Sequence, residues 1–198
     1  MSTTKCSRVT ILWGSCLVIL AAGGQLAFAA EAQTTNTLPT KLEAIEAQAG
    51  TVIIKGAGQI GSLAVGEVSI AVLTKETTDV SAGLKEYGMA IEAAVNNQQV
   101  WKRIIDYDEI DSLIKGLNYI SRINYDVTSM PAFVAAYATK SGFRVGAYTS
   151  QRRAAIQFFL QDYSTDSGRI LITPGQIAQL LLFVEQGKRN LDLLRAPN

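Results

Sequence analysis

Histidine is absent, and the only two cysteines, Cys6 and Cys16, stand close to the amino terminus. Without histidine no Ser-His-Asp triad can be built. Without cysteine beyond Cys16, the rest of the chain has neither a thiol nucleophile nor the usual zinc and haem ligands. Also missing are a twin-arginine pair near the start, a basic run, and any apolar stretch of the ~20 residues that a membrane-crossing helix requires. The first absence favours the general secretory route over one for prefolded cargo. The last leaves no membrane span to expect.

The amino terminus itself is patterned. Lys5 and Arg8 precede an apolar run from Ile11 to Ala22, and Ala27-Phe28-Ala29 ends the segment in small residues. This is the layout of a signal peptide over 1–29, cleaved after Ala29. Trp13-Gly14-Ser15 is a poor match to a lipid-attachment box before Cys16, and the apolar run continues past it, so Cys16 belongs to the leader. The expected destination is the periplasm or the cell exterior, without disulfides, because both cysteines leave with the leader. Loss of Lys5 and Arg8 also takes the formal charge from +1 to −1, leaving 16 basic side chains against 17 acidic ones. Such a balance lacks the footprint that phosphate backbones demand, and no nucleic-acid partner is expected.

Residues 30–40 are polar, without an apolar period, and read as a tether. Residues 41–198 suffice for one domain with a full core. A short helix carries Leu42 and Ile45 and ends at Gly50. Strands are predicted over 51–55, 68–74, 87–95 and 100–105 from their Val, Ile and Tyr content and the intervening turn residues. Asp106 then opens a helix with Ile110, Leu113, Ile114 and Leu117 at helical spacing. The second half repeats the plan, with strands over 132–139, 143–149, 154–162 and 169–173 and a helix from Pro174 to about Leu194. Ser141-Gly142 and Gln151-Arg152 read as hairpin turns.

Laid over one another at a constant offset, the halves align these helices: Ile110, Leu113, Ile114 and Leu117 fall on Ile177, Leu180, Leu181 and Val184. Asp106 and Glu109 fall on Thr173 and Gln176, the two positions of a capping box. Any two amphipathic helices can be aligned on their apolar faces, so the match alone does not require a repeat. The fold class expected is α+β, with antiparallel β-sheet packed against two main helices and a duplicated ββββα unit over 51–123 and 131–194.

Four constellations invite a chemical reading. Gly56-Ala57-Gly58-Gln59-Ile60-Gly61, after the apolar Val52-Ile53-Ile54, has the spelling of a dinucleotide fingerprint. That motif needs a helix after the third glycine and a long crossover to a parallel strand, and the short, glycine-interrupted segment before Val68 provides neither. A bend or bulge between antiparallel strands fits better, and no cofactor is expected. Ser112 and Lys115, with Lys140-Ser141-Gly142, imitate the signatures of penicillin-recognising enzymes, but the two lie too close together in too small a domain. Asp106, Asp108, Glu109 and Asp111 form an acidic cluster explained by the amino terminus of a helix, and no metal is expected.

The fourth is basic. If Phe143, Val145 and Ala147 face the core, strand alternation turns Arg144 and Tyr148 outward beside Arg152 and Arg153. These four are the candidate ligand- or partner-binding residues, against the plainer reading of a solvated hairpin tip. Trp101 and Tyr107 read as packing residues.

The stretches DYDEIDSLIKGLNYI (106–120), KEYGMAIE (85–92) and AFVAAYATKSGFRV (132–145) are similar to a set of exported bacterial proteins without an assigned function. The doubled strand-and-helix order is similar in plan to the Whirly and Pur-alpha single-strand nucleic-acid binders. That likeness is one of topology alone, and the charge balance opposes the function it would imply. The expected function is a non-catalytic exported domain that binds a protein partner or small ligand. The alternative is a small carboxylate-dependent enzyme of the periplasm or exterior, and a Whirly-like nucleic-acid binder stands third.

Overall fold

The computed structural model describes residues 39–150, 153–163 and 168–196. The expected leader, most of the tether and the Gln151-Arg152 turn lie outside them. Among the described residues, α1 (Lys41–Glu46) is followed by β1 (Ile53–Val65), β2 (Val68–Asp79), β3 (Leu84–Val95), β4 (Gln98–Asp106) and α2 (Ile110–Ser121). Then come β5 (Val134–Ala138), β6 (Phe143–Ser150), β7 (Arg153–Asp162), β8 (Ile170–Ile172) and α3 (Pro174–Arg195). β1–β4 and β5–β8 form two antiparallel sheets, each in sequential order. The α+β class and the ββββα plan, occurring twice, are those the sequence leads one to expect.

The helices exchange sheets. α2 leaves the first sheet and packs on β5 and β6 of the second, whereas α3 leaves the second and packs on β1, β2 and β3 of the first. They also pack on each other. The aligned positions have matching environments: Ile110, Leu113 and Leu117 are buried, as are Ile177, Leu180 and Val184, while Ile114 and Leu181 are both only partly buried. The shared apolar period thus serves the same purpose in both units, filling one common core.

Two differences from expectation have causes distant in the sequence. β1 does not stop at Lys55 but runs on through the glycines to Val65, paired throughout with β2. Its register slips between Gln59 and Gly61, leaving Ile60 as the extra residue of a bulge. The glycines therefore lie in an antiparallel edge strand with no helix after them. At Gly61 the space is taken by Phe183 of α3, 2.5 Å from where a Cβ would stand.

The second difference concerns Asp106. It was expected to cap α2, but a 3-10 turn, Tyr107–Glu109, intervenes, and the Asp106 side chain makes no capping bond to it. Its carboxylate instead accepts the backbone N–H groups of Lys41 at 2.9 Å and Leu42 at 3.4 Å, so it caps α1. Thr173 and Gln176 do form the reciprocal box at the start of α3.

α1 lies on the face of the first sheet opposite α3. Leu42 meets Gly88, whose neighbour Met89 points the other way, against Gly187 of α3. Glu46 anchors the end of α1 by accepting from Lys55 at 2.7 Å, Lys75 at 2.8 Å and Thr77 at 3.2 Å. Trp101 is buried, with its ring centre 6.1 Å from that of Phe143 in the second sheet. Tyr107 donates to Asp192 of α3 beneath Arg195, whose guanidinium lies 3.7 Å from the ring centre. Both aromatics are packing residues, as expected.

Candidate binding face on the second sheet

Strand alternation in β6 sorts its side chains as the sequence implies. Phe143, Val145 and Ala147 are fully buried in the core, and Arg144, Gly146 and Tyr148 share the reverse face. Opposite them stand Gln161, Phe159 and Gln157 of β7, and Ala138, Ala136 and Val134 of β5. Leu171 of β8 pairs with Phe159 and extends the same face.

Phe159 is fully buried on this face although, among the described residues, the helix packed on this sheet, α2, lies on the core side. The absent side chain of Gly146 makes room for its ring: a Cβ there would lie 2.5 Å from Phe159 Cζ. Tyr148 flanks it, with ring centres 6.0 Å apart, and donates its hydroxyl to Gln157 Oε1. The guanidinium of Arg169 closes the arrangement, 4.6 Å from the ring centre of Phe159 and 5.2 Å from that of Tyr148. Arg144 is held separately, 4.6 Å over the ring of Tyr163. Around them Val134 and Leu171 stay half exposed.

Arg144 and Tyr148 thus share a face, but they are not neighbours. Four residues at the rise of a strand separate them by about 13 Å. The cation that does meet Tyr148 is Arg169, which the sequence reading did not single out. Its signal was present in the alternation of Arg169 and Leu171 with Ile170 and Ile172, which sends the first pair outward. Arg153 opens β7 opposite Ser150, and Arg152 lies outside the described residues.

The two sheets treat their cations differently. In the first, Lys55, Lys75, Lys85, Lys102 and Arg103 each pair with a carboxylate. On the outer face of the second, Arg144 and Arg169 lie on aromatic rings and, among the described residues, neither pairs with a carboxylate. Stacking engages the flat side of a guanidinium and leaves its in-plane N–H groups for an oxyanion.

The acidic cluster is committed elsewhere. Asp106 caps α1, and Asp108 pairs with Lys41 at 3.0 Å. Glu109 is buried, its Oε1 accepting the Lys140 N–H at 2.8 Å and its Oε2 having no partner among the described residues. Burial pushes this carboxyl up, Asp106 and Asp108 add to the shift, and the Lys140 N–H opposes it. Burial and the nearby Glu109 also raise the Tyr137 hydroxyl to about 12. Among the described residues no three acidic side chains are grouped to hold a metal ion. Ser112 and Lys115 lie on the exposed side of α2, while Ser141 is buried with its hydroxyl 3.2 Å from that of Thr139. Among the described residues, no helix is long and apolar enough to cross a membrane.

No family model, curated protein or solved structure matches the chain.

Proposed function

We propose that this chain is an exported, non-catalytic binding domain that takes an acidic partner on the outer face of its second sheet. The observation that carries this reading is the pair Arg144 and Arg169, braced on aromatic rings with no carboxylate partner among the described residues. A guanidinium fixed in this way has lost part of its side-chain freedom before binding, which lowers the entropic cost of contact. Half-exposed Val134 and Leu171 add apolar anchors beside the charges. Export rests on the leader pattern of Lys5, Arg8, the 11–22 run and Ala27-Phe28-Ala29.

The test has two parts. Mass spectrometry of the protein recovered from the producing cell is expected to find an amino terminus at Ala30; soluble cytosolic protein retaining residues 1–29 would remove the export claim. For binding, the exported fraction is passed over immobilised protein and over an Arg144→Ala, Arg169→Ala variant. A specific acidic component should be retained by the first and lost by the second, and equal retention by both would overturn the assignment of this face. Both arginines lie off the core, so the variant keeps the fold.

A further inference from the structure

A second feature lies away from the arginine face. An open cleft of about 400 Å3 adjoins the carboxy-terminal half of α2, lined by Lys115, Asn118, Tyr119, Arg122, Ile123 and Val127. Lys115, Tyr119 and Arg122 stand four and three residues apart, which puts them on one side of the helix. Ile123 is buried and forms an apolar floor with Val127, which belongs to a 3-10 turn, Tyr125–Val127, that follows α2. Tyr119 is 63% exposed, an aromatic ring left in water at the edge of this floor.

The charges here are uncompensated. At the other end of α2, Asp111 is met by Lys188 and Asp108 by Lys41. Lys115 and Arg122 have no carboxylate within ion-pair distance among the described residues. The carbonyls that end a helix would repel an anion, but here they are largely occupied. The Ser121 hydroxyl donates to Asn118 O at 2.9 Å, and the Arg122 and Ile123 N–H groups reach Tyr119 O and Ile120 O, each at 3.2 Å. Lys115 and Arg122 are the charged side chains that line the cleft, and the Asp126 carboxylate of the adjoining turn accepts from Asn124.

We infer that this cleft binds a small amphiphilic anion: a carboxylate or phosphate monoester carried on an aromatic or short aliphatic body. Its volume falls within the range of small-molecule sites, and its makeup is theirs, an apolar floor with a few polar groups at the rim. The Arg122 fork and the Lys115 ammonium take the oxyanion, the Asn118 amide adds a donor, and the ligand body lies between the Tyr119 ring and the Ile123–Val127 floor. This site is independent of the partner face proposed above and takes a different class of ligand.

The test is an NMR titration of the 15N-labelled exported protein with 4-phenylbutyrate and with phenyl phosphate, using neutral 4-phenylbutanol as the control. Saturable shifts are expected at the amides from Lys115 to Val127 with at least one of the anions, and which anion binds more tightly separates carboxylate from phosphate chemistry. Affinity should fall about tenfold for the neutral alcohol and for a Lys115→Gln, Arg122→Gln variant, the weight of one charge-assisted contact. Tyr119→Ala, another exposed position, supplies an independent variant that should also weaken binding. Absence of saturable shifts in this segment, equal affinity for the alcohol, unchanged affinity in the charge variant, or binding to phosphatidylglycerol vesicles alone would each overturn the inference.

Discussion

Arg103 of the first sheet and Asp162 of the second are joined across the core by two parallel hydrogen bonds, Nε to Oδ1 at 2.8 Å and Nη2 to Oδ2 at 2.5 Å. The carboxylate is wholly enclosed and the arginine partly so. Removing one partner leaves the other charge partly buried without this pairing, whereas replacing both with apolar groups removes the desolvation cost together with the attraction. Asp162→Ala is therefore expected to cost about 3 kcal/mol in urea unfolding followed by the fluorescence of Trp101. The double change Arg103→Met, Asp162→Leu should recover most of that loss. If the single change costs under about 1 kcal/mol, the pair does not join the sheets in solution.

Gly88 tests the seat of α1. A Cβ at this position would fall on the carbonyl oxygen of Ile105, which belongs to the β4 backbone, and within 2.5 Å of Leu42 Cδ1. The leucine can move but the backbone oxygen cannot do so cheaply, so Gly88→Ala should cost about 1–3 kcal/mol of thermal stability. It should also free α1, seen as faster proteolysis between Ala47 and Val52. An unchanged melting temperature and cleavage rate would mean that α1 does not lie on this face.

Glu46 gives the protein an acid-sensitive limb. Burial, the largest influence, pushes its carboxyl up, but the bonds and charges of Lys55 and Lys75 outweigh that and hold it at about 2, below its ordinary 4.5. A folded pKa below the unfolded one means a stabilising contribution that is complete above about 4.5 and is lost as the pH falls toward about 2. Glu46→Gln should flatten the decline in the urea midpoint over this window. A variant that declines as steeply as the parent would assign the acid sensitivity to other groups.

Glu109 acts with the opposite sign. Its folded pKa lies above the unfolded one because burial disfavours the charge, so its ionised form opposes folding. Stability is highest below the unfolded pKa and falls as the pH rises toward the folded value. Glu109→Gln should therefore gain stability relative to the parent as the pH rises above 4.5, measured by the same midpoints. A constant difference across this range would show that the carboxyl does not titrate there.

Legibility in the sequence followed the range of the interaction. α3 begins where Thr173, Pro174 and Gln176 announce it, because capping is settled within one turn. β6 was readable from alternation, since Phe143, Val145 and Ala147 face the core while Arg144 and Tyr148 face away from it. β1 was not: glycines offer no side chain to alternate, and the strand exists because β2 supplies the ladder. Asp106 was read as a local cap, yet its partners lie in α1, far back in the chain. The apolar stripes of α2 and α3 were plain, but a stripe states that a face is buried and not which sheet buries it. Of the candidate face, Arg144 and Tyr148 were found by alternation. Arg169 was missed because its contact with Tyr148 depends on β8 folding back beside β7.

The exchange of helices between sheets makes each half depend on the other. The ladder of the first sheet is complete with β4, yet the face that α3 covers stays bare until that helix, which follows β8 in sequence, docks on it. Docking of α3 on β1 joins segments far apart in sequence, the kind of contact that slows folding. A fragment encoding either repeat by itself would have no lid of its own. A chain clipped just before Pro174 would bare that face of the first sheet while α2 still covered the second, so the two repeats stand or fall as a pair.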